Sequence, residues 1–341
     1  MATARILRHH DYTVAWVCAL PLEMAAAKAM LDEIHPDLPT SSNDQNTYVL
    51  GRIHAHNVVI ACLPSGVYGT TSAATVATQM PFTFRSIRFG LMVGIGGGVP
   101  GKDVDIRLGD VVVSKPTGGF GGVVQYDFGK TVAQGVFERT GSLNKPPQML
   151  LTAIAKLQAD QIVMGKSRVP EYLSGMITMH PVMQAKFTYR GEEQDRLFDA
   201  TYDHYGSENA CNICEASRLV TRPARDRHDP VIHYGLIASG SQVIKHGGTR
   251  DKLGQELGIL CFEMEAAGLM DNFPCLVIRG ICDYADSHKN KQWQEYAAAT
   301  AAAYAKELLS VIHPNQVEET LAVVDTELQD YSQCTQYTLT G

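Results

Sequence analysis

The chain has 341 residues, 45% of them hydrophobic and 19% charged, so it can bury a sizeable core and is not of the disordered class. Its formal net charge of −7 excludes the broadly basic surface of a general nucleic-acid or membrane-surface binder. The first residues lack the apolar core of a signal peptide, and no run reaches the roughly 20 apolar residues of a membrane span. We therefore expect a cytoplasmic protein whose eight scattered cysteines stay reduced.

Short β-branched runs alternate with alanine-rich helical patterns, which predicts an α/β fold with a largely parallel sheet. The predicted strands are Tyr12–Cys18, His56–Leu63, Ser86–Ile95, Gly109–Ser114, Val231–Ala238 and Cys275–Ile281. The predicted helices are Glu23–Ile34, Thr70–Met80, Met149–Ala159, Met264–Asn272 and Trp293–Ile312. Residues from about 163 to 229 are polar and too many for an ordinary loop, which predicts an insertion with short elements of its own. Weak periodicity after Pro314 predicts a poorly ordered tail over residues 314–341.

The glycine-rich stretch from Gly96 to Lys102 nearly matches a phosphate-binding loop and also fits G-x-G-x-x-G. Asp103 stands where a phosphate-binding loop needs Ser or Thr, and the residues that follow predict a strand. Both motifs need a helix N-terminus at that point, because its amides hold the phosphates. We therefore interpret the stretch as a strand end whose backbone must approach another group closely.

A second motif, His204-x₆-Cys211-x₂-Cys214, supplies three residues of the type that bind zinc. No second C-x-x-C or H-x₃-H pair follows it, so a set of four ligands is not evident from the sequence. Free thiols packed in the insertion are the favoured interpretation. The sequence predicts neither a metal nor another cofactor.

Four acidic residues stand at predicted strand ends, where α/β proteins place their chemistry. Glu23 lies where a strand gives way to a helix, although an acid there also stabilises the helix itself. Glu263 and Glu265 would face different directions, so one can enter a site while the other caps a turn or meets solvent. Their apolar surroundings make partners necessary if both are buried. Asp283 ends a buried strand, where an Asx turn is the alternative.

The segments Phe262–Ala266 and Val277–Asp286, with Trp293 at an alanine-rich final helix, resemble the nucleoside phosphorylase and nucleosidase superfamily. The resemblance is closest to methylthioadenosine/adenosylhomocysteine nucleosidases and to the phosphorylase-like N-terminal domains of fungal proteins with ankyrin or NACHT modules. Four further blocks agree in order, at 65–74, 93–98, 108–114 and 235–243. The resemblance implies one domain over residues 11–313, a three-layer α/β/α fold with a central mixed, mostly parallel sheet, interrupted by the insertion at 163–229.

The resemblance also implies roles for individual residues. Asp283 matches the acid that protonates N7 of the purine, and we expect its burial to keep a proton on it near neutrality. Glu265 matches the carboxylate that binds the ribosyl hydroxyls, and Glu23 matches the glutamate that activates the attacking water. The other substrate-binding positions implied are Gly96, Val243, Ile244, Glu263, Met264 against the sugar and Trp293 over the base.

The choice between water and phosphate as nucleophile depends on cations near the sugar. Phosphorylases of this superfamily place an arginine in the loop after the first strand, whereas the loop here, Ala19–Glu23, carries no cation. This favours a purine nucleosidase that hydrolyses adenosine-type nucleosides. Ile95 replaces a serine common in relatives, and Arg88 and Arg107 are unassigned. A phosphate-dependent purine nucleoside phosphorylase therefore stays an alternative.

Two further alternatives concern the substrate and the class of function. The insertion carries six arginines that could meet the phosphates of AMP or ATP, although acids are interspersed: Arg190, Arg196, Arg218, Arg222, Arg225 and Arg227. Of these we expect Arg222 and Arg225 to contact a nucleotide substrate. A non-catalytic nucleoside-sensing module is the alternative from another class. By analogy with relatives we expect a homo-oligomer, most simply a dimer, whose small-molecule partner is a purine nucleoside or nucleotide.

Overall fold

The computed structural model describes residues 7–101, 104–204 and 211–325. Lys102 and Asp103 of the glycine-rich motif, and residues 326–341 of the predicted tail, lie outside the described residues. The strands are β1 (Val14–Cys18), β2 (Glu33–Ile34), β3 (Tyr48–Ile53), β4 (His56–Cys62), β5 (Phe89–Gly98), β6 (Val111–Ser114), β7 (Val123–Gln125), β8 (Gly129–Thr131), β9 (Phe137–Arg139), β10 (Ile232–Ser239), β11 (Ile259–Glu263) and β12 (Cys275–Asp283). The α-helices are α1 (Pro21–Ala29), α2 (Thr70–Thr83), α3 (Gln148–Met164), α4 (Val169–Met179), α5 (Gly247–Leu257), α6 (Gln294–Ser310) and α7 (Pro314–Glu319).

The central sheet has the strand order β11-β10-β6-β12-β5-β1-β4-β3-β2, with β7 beside β10. The core pairs β4–β1, β1–β5, β5–β12, β6–β10 and β10–β11 are parallel, whereas β6–β12, β3–β4 and β2–β3 are antiparallel. Both faces of β1 are covered: Trp16 packs with α1, α3 and α6, whereas Val17 packs with α2 on the other face. The structure therefore has the expected three-layer α/β/α architecture with a mixed, mostly parallel sheet.

The glycine-rich end of β5 closes part of this sheet on itself. Gly97 and Gly98 pair antiparallel with β11, at the far edge of the strand order, while β5 also pairs with β1 and β12. A Cβ atom on Gly96 would lie 2.9 Å from the carbonyl oxygen of Phe262, so only glycine allows this approach. The motif is thus a strand end under close backbone contact, as the sequence predicted, and it places the ends of β5, β11 and β12 together.

Three predicted segments differ in the structure, and β3, β11 and α5 were not among the predicted elements. The helix predicted over Glu23–Ile34 ends at Ala29, and Glu33–Ile34 form strand β2. Residues 264–272, predicted to be a helix, contain only the 3₁₀ turn Ala266–Gly268, because the chain leaves β11 through a tight turn. Residues 314–325 belong to the predicted poorly ordered tail. In the structure they form α7 and then pack against the rest of the domain. Val317 and Val323 are buried there, and the Val323 amide donates to the Ile87 carbonyl over 2.9 Å.

The insertion folds back on the domain and does not project from it. Its first helix, α4, packs on α6, where the Glu307 carboxylate accepts hydrogen bonds from the Ser167 hydroxyl and the Arg168 amide. Short 3₁₀ helices follow at Pro181–Ala185, Glu192–Gln194, Cys211–Ile213 and Ala216–Arg218. Across the described part of the chain, no helix is both long and apolar enough to cross a membrane.

The packing of α6 on β12 gives a stability prediction. A Cβ atom on Gly280 would overlap the carbonyl oxygen of Ala297, so Gly280→Ala should lower the free energy of unfolding by about 3 kcal/mol. The matched control is Gly175→Ala in α4, where an added Cβ meets nothing within 4 Å and should raise stability by up to about 1 kcal/mol. Urea unfolding followed by circular dichroism measures both, and equal stabilities would contradict this packing.

Candidate active site

A fully buried arginine organises the carboxyl ends of the central strands. Arg279 lies in the middle of β12, between apolar neighbours, with no solvent exposure. A buried guanidinium requires anionic partners, because its desolvation is otherwise too costly. Its Nη2 atom forms a short ion pair with Glu263 and lies 3.3 Å from Oε2 of Glu265. Both glutamates belong to the turn that ends β11.

Glu23 reaches the same cluster from the first turn of α1. Its Oε2 atom accepts hydrogen bonds from the Ala19 and Leu20 amides at 2.7 and 2.9 Å, and Oε1 accepts one from the Ile95 amide of β5 at 2.8 Å. A Cβ atom on Gly94 would overlap Oε1 of Glu23, so the missing side chain makes room for this contact. From this one position Glu23 can both stabilise the start of α1 and contribute a carboxylate to the candidate site.

The carboxylate–arginine cluster (Glu23, Glu263, Glu265 and Arg279) holds more negative than positive charge. Burial raises the pKa of Glu23, against the opposing effect of Arg279 and three backbone donors. Burial also raises the pKa of Glu265 to about 7; Arg279 opposes this shift, while the neighbouring Glu263 and Glu23 carboxylates add to it. A carboxylate with such a pKa exchanges its proton near neutrality, which is the range useful in acid–base chemistry.

The two glutamates of the turn after β11 have different surroundings. Glu263 accepts hydrogen bonds from the amides of Glu265 and Ala266, in addition to its ion pair with Arg279. Its oxygens are therefore used to hold the turn. Glu265 has a longer contact with Arg279 and a 3.4 Å hydrogen bond from the Met264 amide. Of the two, Glu265 keeps more capacity to accept hydrogen bonds from a ligand, and half-buried Met264 lies between them.

Asp283 ends β12 beside β5, in register with Gly97. Its Oδ1 accepts a hydrogen bond from the Ala285 amide at 2.9 Å, and its Oδ2 lies 2.9 Å from Nζ of Lys289 and 3.0 Å from the Cys282 thiol. Lys289 thus places a positive charge beside Asp283, which the sequence analysis did not foresee.

The remaining predicted binding residues differ in their exposure and in their neighbours. Val243 is exposed, and Ile244 packs against the cluster that includes Phe262. Trp293 is only 1% exposed; its indole N–H donates to the Gln194 carbonyl, and its ring packs edge-on against Tyr189 and Tyr296. The structure therefore places Trp293 within an aromatic cluster, and a base could reach its face only if that packing opened.

The arginines expected to meet phosphates have protein partners instead. Arg222 forms a 3.0 Å ion pair with Asp195, and Arg225 forms a 2.7 Å ion pair with the buried Asp110. Arg225 thus ties the insertion to the sheet, whereas Arg222 pairs within the insertion and donates a hydrogen bond to the Tyr284 hydroxyl after β12. Contact of these two arginines with a nucleotide stays a prediction that would require these pairs to open. Arg107 likewise pairs with Asp105.

Arg88, the other unassigned arginine, precedes the first residue of β5, whereas Glu23 contacts Ile95 near the end of that strand. Seven residues of extended strand separate the two ends by about 23 Å. Arg88 thus lies at the opposite edge of the sheet from the carboxylate–arginine cluster.

Sequence reasoning missed two residues, Arg279 and Lys289. The signal for Arg279 was available, since a single cation within the apolar run Leu276–Cys282 must find anions in the folded chain. No comparable signal marked Lys289, because it lies in a polar loop and meets Asp283 only through the turn after β12.

The fold and this buried cluster define a nucleoside phosphorylase-like α/β protein. The family model described as the phosphorylase superfamily matches residues 13–313, and the chain belongs to this superfamily. Solved structures with the same fold include futalosine hydrolase of Helicobacter pylori (TM-score 0.56, 16% identity, covering 89% of this chain and 99% of that one). Another is the 5′-methylthioadenosine/S-adenosylhomocysteine nucleosidase of H. pylori in complex with an inhibitor (TM-score 0.56, 16% identity, 88% and 98% covered).

Two curated relatives differ in architecture. The chain is 49% identical over 313 residues to a nucleotide-binding leucine-rich repeat (NLR)-like protein of Hyaloscypha variabilis, covering 92% of this chain but only 30% of that protein. It is 25% identical over 306 residues to the 5′-methylthioadenosine/S-adenosylhomocysteine nucleosidase of Mycobacterium bovis, covering 88% of this chain and 96% of that protein. The relatives therefore include a nucleosidase and a much longer NLR-like protein, of which this chain spans 30%.

The buried cluster predicts a pH-dependent effect of removing Arg279. Arg279→Met leaves three carboxylates without their buried cation and should cost about 3–5 kcal/mol of unfolding free energy at pH 7. Glu23 and Glu265 already have raised pKa values, so the folded variant binds protons more readily than the unfolded chain, and its stability should recover as the pH falls towards 5.

Urea unfolding at several pH values measures this effect. The matched control is Arg52→Met. Arg52 pairs with Glu33, which is largely exposed, so loss of this ion pair should change the free energy of unfolding by at most about 1 kcal/mol. A deficit in Arg279→Met that does not change with pH would show that lost packing, and not unpaired charge, is responsible.

Proposed function

We propose that this protein is a purine nucleosidase that hydrolyses the N-glycosidic bond of adenosine-type nucleosides. The observation that carries the proposal is the buried carboxylate–arginine cluster, in which Glu23 and Glu265 both have raised pKa values beside the strand end that bears Asp283. In this reaction a water oxygen bonds to C1′ of the ribose, the C1′–N9 bond breaks, and the departing purine accepts a proton at N7. The products are free base and ribose.

Glu23 would take the proton from the attacking water. Three amide donors fix its carboxylate between α1 and β5, so its orientation does not depend on a bound ligand. Its raised pKa makes it a stronger base than an exposed glutamate. We propose Glu23 as the residue that orients and deprotonates water.

Glu265 would bind the ribosyl hydroxyls and stabilise the sugar as positive charge develops on it. N-glycosidic cleavage passes through an oxocarbenium-like state, as in other glycoside hydrolyses. Three carboxylates share one guanidinium here, so the cluster favours a cation when all three are ionised. Met264 would contact the sugar, while Glu263 and Arg279 position Glu265.

Asp283 would deliver the proton to N7. Its Oδ2 atom is engaged by the Lys289 ammonium, so the proposal requires a bound purine to displace that contact before Oδ2 can carry a proton. A cavity beside Asp283 gives space for such movement; its wall includes Leu108, Arg196, Phe198, His288 and Lys289. In this arrangement Lys289 is a positioning residue for the acid.

The contacts of the arginines near the site favour water over phosphate as the nucleophile, and nucleosides over nucleotides as substrates. The loop after β1 supplies amides and Glu23 to the site, without a cation. Arg279 is bound to two glutamates, and Arg222 and Arg225 to aspartates. AMP or ATP cleavage would have to break these ion pairs.

A second candidate function is nucleoside sensing within a larger protein. It is favoured by the 49% identity to the NLR-like relative, of which this chain spans 30%. In that case the same candidate site would bind a purine nucleoside, and the signal would come from its binding and not from its hydrolysis. Binding measured by calorimetry without release of free base would favour this candidate over the nucleosidase.

The nucleosidase proposal predicts free adenine or hypoxanthine from purine nucleosides in phosphate-free buffer. Chromatography of incubations with a panel of adenosine, inosine, 5′-methylthioadenosine and AMP, with and without phosphate, measures it. Pyrimidine nucleosides should be poor substrates because they lack N7. An absolute need for phosphate, with ribose 1-phosphate as product, would contradict hydrolysis.

The control variants separate chemistry from folding. Asp283→Asn should lower kcat by about 10²-fold or more, the size usual for losing a general acid. The matched control is Asp44→Asn, since Asp44 is also buried but bonds Tyr48 and Thr83 away from the cluster. Unchanged turnover in Asp283→Asn would remove that residue from the acid role.

The raised pKa values predict an acidic limb in the pH profile. Glu265, with a pKa of about 7, faces Arg279, Glu263 and Glu23, and both Glu265 and Glu23 must be ionised to act. These two groups should therefore give kcat/KM an acidic limb with a midpoint of about 7, while loss of the proton destined for N7 limits the rate at higher pH.

Steady-state kinetics between pH 5.5 and pH 9, from about 1.5 units below that pKa to about 2 units above it, measures the limb. Glu265→Gln should lower kcat/KM and move the midpoint, because Glu265 no longer titrates, whereas Asp44→Asn should keep the original profile. An acidic limb with the same midpoint in Glu265→Gln would contradict the assignment of the limb to Glu265.

A further inference from the structure

Four potential metal ligands from the insertion and from the loop after β12 meet beside the domain. Nδ1 of His204 lies 3.1 Å from the Cys214 thiol, and ligand atoms of His204, Cys214 and His288 all lie within 4.8 Å of one another. The Cys211 thiol adjoins Cys214 and lies 3.8 Å from the carbonyl oxygen of His288, 77 residues further along the chain. Those three residues and the adjoining Cys211, whose sulfur does not lie within 4.8 Å of all three other ligand atoms and would have to turn toward a shared ion, form the His/Cys cluster.

His288 is the member that indicates a ligand. The residue is only 6% exposed, yet neither ring nitrogen has a hydrogen-bond partner. Leaving a buried imidazole unsatisfied costs about 1–3 kcal/mol, so such a group needs an explanation. Phe198 stacks on the ring at a centroid distance of 4.1 Å, and Tyr202 stacks at 5.4 Å. The aromatic rings fix the imidazole plane, and among the described residues the only carboxylate oxygen near a ring nitrogen, Oδ1 of Asp286, lies 3.8 Å from Nδ1, beyond hydrogen-bonding distance.

We propose that the His/Cys cluster binds one zinc ion, with His204, Cys211, Cys214 and His288 as a tetrahedral set of ligands. The C-x₂-C spacing is usual for zinc, and the 3.1 Å contact between His204 and Cys214 is close to the edge of about 3.5 Å that a tetrahedral zinc site requires. The fourth ligand, which the sequence did not reveal, comes from His288. A set of four protein ligands leaves no position for substrate, so the site is structural.

The proposed zinc would fasten the insertion to the loop that follows Asp283. His204, Cys211 and Cys214 belong to the insertion, while His288 precedes Lys289, the ion-pair partner of Asp283. Cys211, His288 and Asp283 also line one cavity. The metal would therefore set the wall beside Asp283 without touching the reacting atoms. The zinc site does not depend on the proposed hydrolysis, since it rests on different residues.

The direct test is the metal content of the full chain, purified without a metal-affinity tag, incubated with zinc and passed over a desalting column. Mass spectrometry of the metal should find about one zinc per chain. Cys214→Ser and His288→Gln should each lower retention about tenfold or more against a competing chelator. The matched control Cys62→Ser, a half-buried thiol outside the cluster, should retain zinc. Cobalt in place of zinc should give the thiolate charge-transfer bands of a tetrahedral site.

A second measurement uses only the unmodified chain, so it tests the proposal even if a variant fails to fold. Chelator should lower the melting temperature of the unmodified chain, and zinc but not magnesium should restore it. The proposal is overturned if the unmodified chain retains no zinc, or if His288→Gln and Cys214→Ser retain as much as Cys62→Ser. It is also overturned if thiol titration and intact mass show that Cys211 and Cys214 form a disulfide in the freshly isolated protein.

Discussion

The buried charge of Arg279 is the constraint on which the rest of the site depends. A guanidinium with no solvent exposure is tolerated only while carboxylates stay within ion-pairing distance, and Glu263 and Glu265 provide them. Glu23 completes the cluster through the space that Gly94 leaves open. Any shift in register between β5 and β12 would separate these charges. The electrostatic requirement therefore fixes the strand ends relative to one another before a ligand is present.

The same arrangement sets the chemistry that the site can perform. Burial, with the Glu263 and Glu23 carboxylates nearby, raises the pKa of Glu265 to about 7 against the effect of Arg279, so this carboxylate changes its charge near neutral pH. Asp283 stands apart on the next strand end, with Lys289 as its counter-ion. Two acidic groups with different surroundings are what a reaction needs when one must accept a proton and another must donate one.

The insertion acts as a wall of the site. Arg225 pairs with Asp110 and so joins the insertion to the sheet, while Arg222 pairs with Asp195 inside the insertion and donates a hydrogen bond to the Tyr284 hydroxyl after β12. The proposed zinc would add a second attachment at His288. A wall fixed at both ends restricts how far the loop after β12 can move, and that loop carries the counter-ion of the proposed acid.

The sequence by itself determined the α/β class and the motif positions of Glu23, Glu265 and Asp283, because strand and helix periodicity and short motifs are local properties. The turn at 264–272 was predicted as a helix, since composition does not show that Glu263 caps a tight turn there. Only the tertiary structure decided which charges pair: Arg279 with its glutamates, Lys289 with Asp283, and the insertion arginines with aspartates. Apart from Lys289 and Asp283, which one turn brings together, these partners are well separated in sequence, and the distances between them follow from the packing of whole elements, which no local pattern encodes.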